Sequence, residues 1–277
     1  MTATITLATP REKIEFDGER CTPWVTTQIL AAHLHRYFSV LDLVRGKRVL
    51  DISCGEGYGS ALLRRHGAEA VTGVDIDPPI IARANRVYGD EGLSFQVADA
   101  RQPLPFNAAS FDVVVSFETI EHIAEHASFV AELKRVLTPE GTLVISTPDA
   151  ALSDPDAPNP FHAKELTEDD FLALLHSEFA HLTPYRQGYL HGSIITGPGP
   201  AQNWKRQGFL DYAEDMSGGQ RYILATASNG KPATVSNGML HDGAIVATLN
   251  RRIKALEARV KELEASGAIT PEGADSK

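Results

Sequence analysis

Four short stretches of the sequence carry residues whose types and spacing can do chemistry. In VLDISCGEGYGS (Val49–Ser60), Gly55, Gly57 and Gly59 alternate with larger residues. Glycines at that spacing permit a tight turn and let a ligand approach the backbone closely. A helix start behind such a turn favours an anionic or carboxylate-bearing ligand. Nicotinamide, flavin and methyl-donor sites all use turns of this kind, so the glycines alone do not choose among them. Asp75 closes the next apolar run, where a carboxylate would accept both hydroxyls of a ribose. Asp99 closes the run after that, where it can receive the amino group of an adenine. Each aspartate alone reads equally well as a helix cap or loop residue. Together with the glycines, at the ends of successive strands, they point to a nucleoside-bearing ligand.

The fourth stretch is FETIEHI, Phe117–Ile123. If a helix begins here, Glu118, Glu121 and His122 fall at i, i+3 and i+4 and share one face. Two carboxylates and an imidazole converging at a strand end suggest a divalent metal site. The same spacing fits first-turn residues that face solvent and are favoured by the helix dipole. Spacing alone leaves both readings open.

The elements that must position these residues alternate regularly. Arg48–Ser53, Ala70–Ile76, Leu93–Asp99, Phe111–Phe117 and Gly141–Thr147 are strand-like and mostly apolar, and helix-like segments separate them. Pro78 and Pro79 suit the first turn of one helix. Such a pattern predicts an α/β fold with a parallel sheet covered on both faces. Thr167 and Asp170 predict a further helix start, with Leu166 and Phe171 as its hydrophobic staple. HLTPYRQ and RYILATA are candidates for the last two strands, and residues 188–220 form an irregular insertion between them.

Ahead of this core, residues 1–24 read as an arm, and from about Thr26 to Val44 the positions Leu30, Leu34, Tyr37, Leu41 and Val44 mark an amphipathic helix. Residues 1–45 are thus expected to cover the site and 46–240 to form the main domain. Near the end, Val246, Ile253 and Val260 alternate with Leu249, Leu256 and Leu263 at spacings of three and four. β-Branched residues at a and Leu at d favour a parallel two-stranded coiled coil over residues 244–266, hence a homodimer. A wider-striped helix packed on its own domain is the plainer alternative. Residues 267–277 read as a disordered tail.

Composition narrows the function classes. The net charge of −10 over 277 residues argues against a phosphate-gripping surface, so no nucleic-acid partner is expected. Cys21 and Cys54 cannot build a disulfide framework and lack metal-ligand spacing. The first residues have neither a basic start nor an apolar core, and no apolar run approaches the ~18 residues of a membrane span. The expectation is a cytoplasmic protein.

These residues resemble the class I S-adenosylmethionine-dependent methyltransferases over roughly Gly46–Phe171, through D-x-x-C-G-x-G, V-D-I, V-A-D-A, S-F-D-V-V and L-K-R-V-L-x-P-x-G-x-L. Ser53 departs from the family's usual Gly. The resemblance implies a Rossmann-like seven-stranded sheet of order 3-2-1-4-5-7-6 with the seventh strand antiparallel. It also implies a donor site in which Asp51, Ser53, Gly55 and Gly57 surround the methionine part, Asp75 and Ile76 the ribose, and Asp99 and Ala100 the adenine, with Phe117 nearby. E-x-x-E-H further resembles metal-dependent O-methyltransferases of small-RNA ends and of ubiquinone biosynthesis. That likeness implies Mg²⁺ or a similar ion on Glu118, Glu121, His122 and a later histidine, His162, with Glu118, Glu121 and His122 catalytic. GERCTP (Gly18–Pro23) and HLHRYF (His33–Phe38) resemble bacterial methyltransferases linked to glycosyltransferases in glycan assembly, although Cys21 stands where those carry an aromatic. His33, His35, Arg36 and Tyr37 then face the donor or acceptor, or are helix-surface residues with Tyr37 in the core. The implied activity is O-methylation of a sugar hydroxyl in glycan or glycolipid synthesis, with a glycosyltransferase as a possible partner. A catechol or quinone-type small-molecule acceptor is the runner-up. An inactive scaffold acting through its coiled coil is the rival of another class.

Overall fold

The computed structural model describes residues 27–153, 156, 158–188 and 220–235. The N-terminal arm, most of the 188–220 insertion, the heptads and the tail lie outside the described residues. Seven strands form one sheet: β1 (Arg48–Ile52), β2 (Ala70–Asp75), β3 (Leu93–Val97), β4 (Phe111–Phe117), β5 (Leu137–Pro148), β6 (His181–Gly188) and β7 (Gln220–Ser228). Their order is β3-β2-β1-β4-β5-β7-β6, as the resemblance implied. The first five pair in parallel, and β7 runs antiparallel to both β5 and β6. β5 starts earlier than Gly141 because Leu137 already pairs with Phe111. The register then shifts across the intervening turn, so that Val113 meets Thr142.

Strand side chains alternate between two apolar layers, as a pleated sheet requires. Val49, Val113, Val115 and Val144 enter one layer, while Leu50, Ile52, Val114, Leu143 and Ile145 enter the other. The first layer is closed by α1 (Thr27–Ser39), α2 (Tyr58–Arg65) and α3 (Pro78–Tyr88), the second by α4 (His126–Val136) and α5 (Glu168–Glu178). In α1, Leu30, Leu34 and Tyr37 are buried at helical spacing. This helix stops at Ser39, five residues short of the expected end, where the Ser39 hydroxyl turns back to the Arg36 carbonyl (2.7 Å). Pro78 and Pro79 open α3 behind the Asp77 cap, and Thr167 caps α5 by accepting from the Asp170 amide, both as expected. Among the described residues no helix is long and apolar enough to cross a membrane.

Candidate functional site

The site lies at the carboxyl ends of the central strands, where open α/β sheets bind ligands. After β1 the chain reverses through Ser53, Gly55 and Gly57, with φ of 56°, 53° and 83°. Ser53 therefore keeps the turn by adopting a left-handed conformation that costs a non-glycine residue on the order of 1 kcal/mol or more. At Gly57 a Cβ would lie 2.7 Å from the Phe95 ring, so packing as well as φ demands glycine there. The turn is braced by a buried ion pair, Arg83 Nη1 to Glu56 Oε2 at 2.8 Å. Removing one partner of such a pair typically costs about 3–5 kcal/mol, because the other charge is left buried.

Asp75 stands at the end of β2, with one oxygen accepting from the Gly55 amide (3.0 Å) and the other from the Asp77 amide (3.1 Å). The expected ribose acceptor thus also fixes the glycine turn. Beside it, Ile76 is 51% exposed, and Val97 at the end of β3 is 47% exposed. Two bare aliphatic side chains at adjacent strand ends suit a flat apolar ring. Asp99 and Ala100 follow in the next turn, half-buried. The Asp99 carboxylate is gripped by the Arg101 side chain at 2.8–3.2 Å, which holds its pKa below the usual carboxylate value. An adenine amino group would have to share that carboxylate with Arg101.

Asp51, expected against the methionine part, has its carboxylate turned inward. Strand alternation turns it into the α1–α2 layer, where it is fully buried and accepts from the Ser60 hydroxyl (2.6 Å) and the Tyr37 hydroxyl (3.1 Å). Burial outweighs these hydrogen bonds and pushes its pKa up to about 7. Asp51 therefore acts on the turn from behind. Nearby, His33 Nδ1 lies 2.6 Å from the Tyr58 hydroxyl, and burial, with the Arg36 charge, pulls its pKa down to about 3. Phe117 meets the Tyr37 ring edge to face at 5.1 Å, closing the layer beneath the site.

On the other side, no α-helix begins within Phe117–Ile123, so the condition for a shared helical face is not met. Glu118 takes a φ of 54°, a short 3-10 turn covers Ile120–His122, and α4 begins only at His126. The cause is long-range: the Glu118 amide donates to the Ser146 carbonyl (3.2 Å), and Ser146 Oγ donates to the Glu118 carboxylate (2.6 Å). Glu118 is thereby bound to β5 and drawn toward Arg36, whose Nη1 lies 3.8 Å away. It leaves the shared face.

The other three residues do meet. Ligand atoms of Glu121, His122 and His162 all lie within 4.8 Å of one another, and Glu118 stands outside this set. Glu121 is buried, accepts from Thr147 Oγ1 (3.1 Å), and has its pKa pushed well up by burial and by the Glu118 charge. Its own carbonyl receives the amides of Ala163 (2.8 Å) and Lys164 (3.1 Å), which brings the His162 loop across. His122 Nδ1 faces the Phe161 carbonyl at 3.0 Å; a carbonyl only accepts, so that nitrogen carries the proton. The two imidazoles stand edge to face, 5.1 Å between centroids. Two nitrogens and a carboxyl group that would rather not be charged alone form a donor set that a divalent cation fits, because the cation would offset the cost of ionising Glu121. Sequence reading missed Arg36 as a partner of Glu118, and it missed Asn159 and Glu165 around His162. Asn159 and Glu165 left a signal, each three residues from His162, and Arg36 left none.

Comparison with known proteins bears on the fold and on the segment from β1 to β5. Residues 50–145 match the family model of a methyltransferase domain. The chain is similar to a probable S-adenosylmethionine-dependent methyltransferase of Mycolicibacterium smegmatis, at 37% identity over 57% of this chain and 62% of that protein. It is also similar to the chloroplastic tocopherol O-methyltransferase of Arabidopsis thaliana, at 42% identity over 36% of this chain and 30% of that protein. The chain thus spans less than two thirds of the length of these relatives. In fold it resembles the crystal structure of the YcgJ protein of Bacillus subtilis, with a TM-score of 0.52, 20% identity, and coverage of 72% of this chain and 100% of that one. The described residues have an α/β methyltransferase-like fold, and residues 50–145 carry the match to the methyltransferase-domain model.

Proposed function

We propose that this chain is an S-adenosylmethionine-dependent O-methyltransferase whose acceptor presents two adjacent oxygens to a divalent ion held by Glu121, His122 and His162. The observation that carries the reading is the meeting of a buried carboxyl and two imidazoles within 4.8 Å, at the ends of the strands beside the glycine turn. When bound, the donor supplies an electrophilic methyl, and Mg²⁺ or a similar ion supplies charge that lowers the pKa of a hydroxyl. The chain's own residues do the rest. Asp75 accepts from the ribose, Gly55 and Gly57 admit the methionine part, and Ile76, Asp99 and Ala100 border the adenine. His122, with its Nδ1 proton committed to the Phe161 carbonyl, offers the Nε2 lone pair to the ion; without an ion the same lone pair would serve as base for the acceptor hydroxyl. Glu118, held by Ser146, adds a second carboxylate to the acceptor side and raises the proton affinity of Glu121.

The acceptor class we favour is a sugar carrying a vicinal diol, in glycan or glycolipid synthesis, which is the class suggested by the N-terminal helix motif. One observation favours a second reading. Phe161 is 49% and Leu152 47% exposed on the loop that carries His162, and apolar surface there suits a catechol or quinol ring. The heptads of residues 244–266 support a homodimer, with a glycosyltransferase as the other candidate partner.

The test is methyl transfer to nucleotide sugars, glycans and catechols with and without chelator, alongside calorimetry of donor binding. Chelation is expected to abolish transfer and to spare donor affinity, since Asp75 and the glycine turn are separate from the ion's ligands. Full turnover by metal-free protein would remove the ion and leave His122 as a simple base. Failure to bind the donor at all would favour a scaffold.

A further inference from the structure

Around His162 the hydrogen bonds leave one consistent assignment. The Phe161 amide donates to Asn159 Oδ1 (3.0 Å), which fixes the orientation of that side-chain amide. Its Nδ2 therefore points at His162 Nε2 (3.0 Å), and since an amide nitrogen only donates, Nε2 must present its lone pair. The proton then belongs on Nδ1, which lies 2.5 Å from Glu165 Oε1. Glu165 is itself anchored by the Ser153 hydroxyl, from across the loop. The backbone supports the same geometry. The Ala150 amide donates to the Leu166 carbonyl (3.0 Å), and the His162 amide to the Asn159 carbonyl (3.1 Å).

A carboxylate on one imidazole nitrogen does two things to the other. It fixes the tautomer and ring orientation, and it makes the far lone pair more basic. His122 needs no such partner, because the Phe161 carbonyl already fills that place at 3.0 Å. His162 differs in lying on a long loop rather than at the end of a strand. A side chain there has to be oriented by something other than the sheet.

We propose that Glu165 is a positioning residue that, through the Glu165–His162 hydrogen bond, holds His162 as the Nδ1–H tautomer with Nε2 turned toward Glu121 and His122 for a divalent cation. The proposal rests on the metal reading given above. Asn159 Nδ2 marks the direction of the lone pair and must yield it when a cation binds. Glu165 touches neither donor nor acceptor; it acts only through His162.

The experiment pairs Mn²⁺ affinity, by calorimetry and electron paramagnetic resonance, with the His162 tautomer in the metal-free protein, by long-range ¹H–¹⁵N correlation. Four full-length proteins are compared, the parent, Glu165→Ala, Glu165→Gln and Glu168→Ala, each also with Asn159→Ala, which removes the other group that holds the tautomer. Glu165→Ala is expected to lose about tenfold to a hundredfold in Mn²⁺ affinity and, once Asn159 is also replaced, to let the His162 proton move to Nε2. Glu165→Gln keeps an acceptor oxygen, so it should hold the tautomer and lose less affinity. Glu168→Ala removes a carboxylate that pairs with Arg186 instead and should stay near the parent in both readouts. An unchanged affinity in folded Glu165→Ala, or an unchanged tautomer once Asn159 is also replaced, overturns the proposal, as does an equal loss in Glu168→Ala. A parent that binds no Mn²⁺ overturns the metal reading, and the tautomer comparison still decides whether Glu165 orients His162.

Discussion

Asp51 and His33 lie in the same layer of the molecule, each joined to a tyrosine, and their pKa values move in opposite directions. The Asp51 carboxyl rises from 3.8 to about 7, so between those values the folded protein holds a proton that the unfolded chain has lost, and stability falls as pH rises. The His33 imidazole falls from 6.5 to about 3, so in that interval the unfolded chain holds the extra proton and stability rises with pH. From about pH 4 to 6.5 the two slopes oppose each other, each approaching about 1.4 kcal/mol per pH unit. Asp51→Asn should therefore gain stability relative to the parent as pH rises through this window, and His33→Gln should lose it. Urea unfolding at several pH values checks both, and variants that run parallel to the parent would count against them. Asp75 and the glycines were legible at this scale because a ligand turn announces itself in consecutive residues. The burial of Asp51 was not legible, because it depends on which helices cover that face. The partners of Asp99, Glu118 and His162 are set by contacts between side chains, which spacing does not encode.

Between helices, fit is governed by Gly59. A Cβ there would fall 2.0 Å from the Tyr37 ring, so α1 can dock on α2 only because this helical position is bare. Gly59→Ala should improve local helix propensity by up to about 1 kcal/mol, yet it should lower overall stability by about 1–3 kcal/mol through overpacking. Adding Tyr37→Ala should cost less in that background than alone, since the clash is then gone. Strictly additive unfolding free energies would show that the two positions do not touch. The strands and the caps of α3 and α5 could be read from sequence because their signals are local: apolar runs, Pro78 and Pro79, Thr167. The segment after β4 could not. Helical spacing at Glu118, Glu121 and His122 was real, but two bonds to Ser146, 28 residues away, hold Glu118 in a conformation that no helix contains. A local signal lost to a distant hydrogen bond, and the cluster survived because the 3-10 turn and the Glu121 carbonyl bring His162 in by another route.

At the scale of the whole chain, the described residues account for the sheet and its helices, while the homodimer through residues 244–266 is a proposal from their heptads. Removing residues 244–277 should halve the mass seen by light scattering while donor affinity stays as it was; equal masses would argue that the heptads do not pair two copies. Sheet order was legible through family resemblance rather than through pattern, since periodicity identifies strands without ranking them. β7 shows what that order demands. It sits between β5 and β6 although Gln220 follows Gly188 by more than 30 residues of chain. During synthesis β5 must wait, with one edge bare, until residues far beyond β6 have left the ribosome. Bare strand edges recruit other strands, so the interval of translation between residues 148 and 228 is when this protein is most exposed to aggregation, and slow codons or a holding chaperone would act there with the greatest effect.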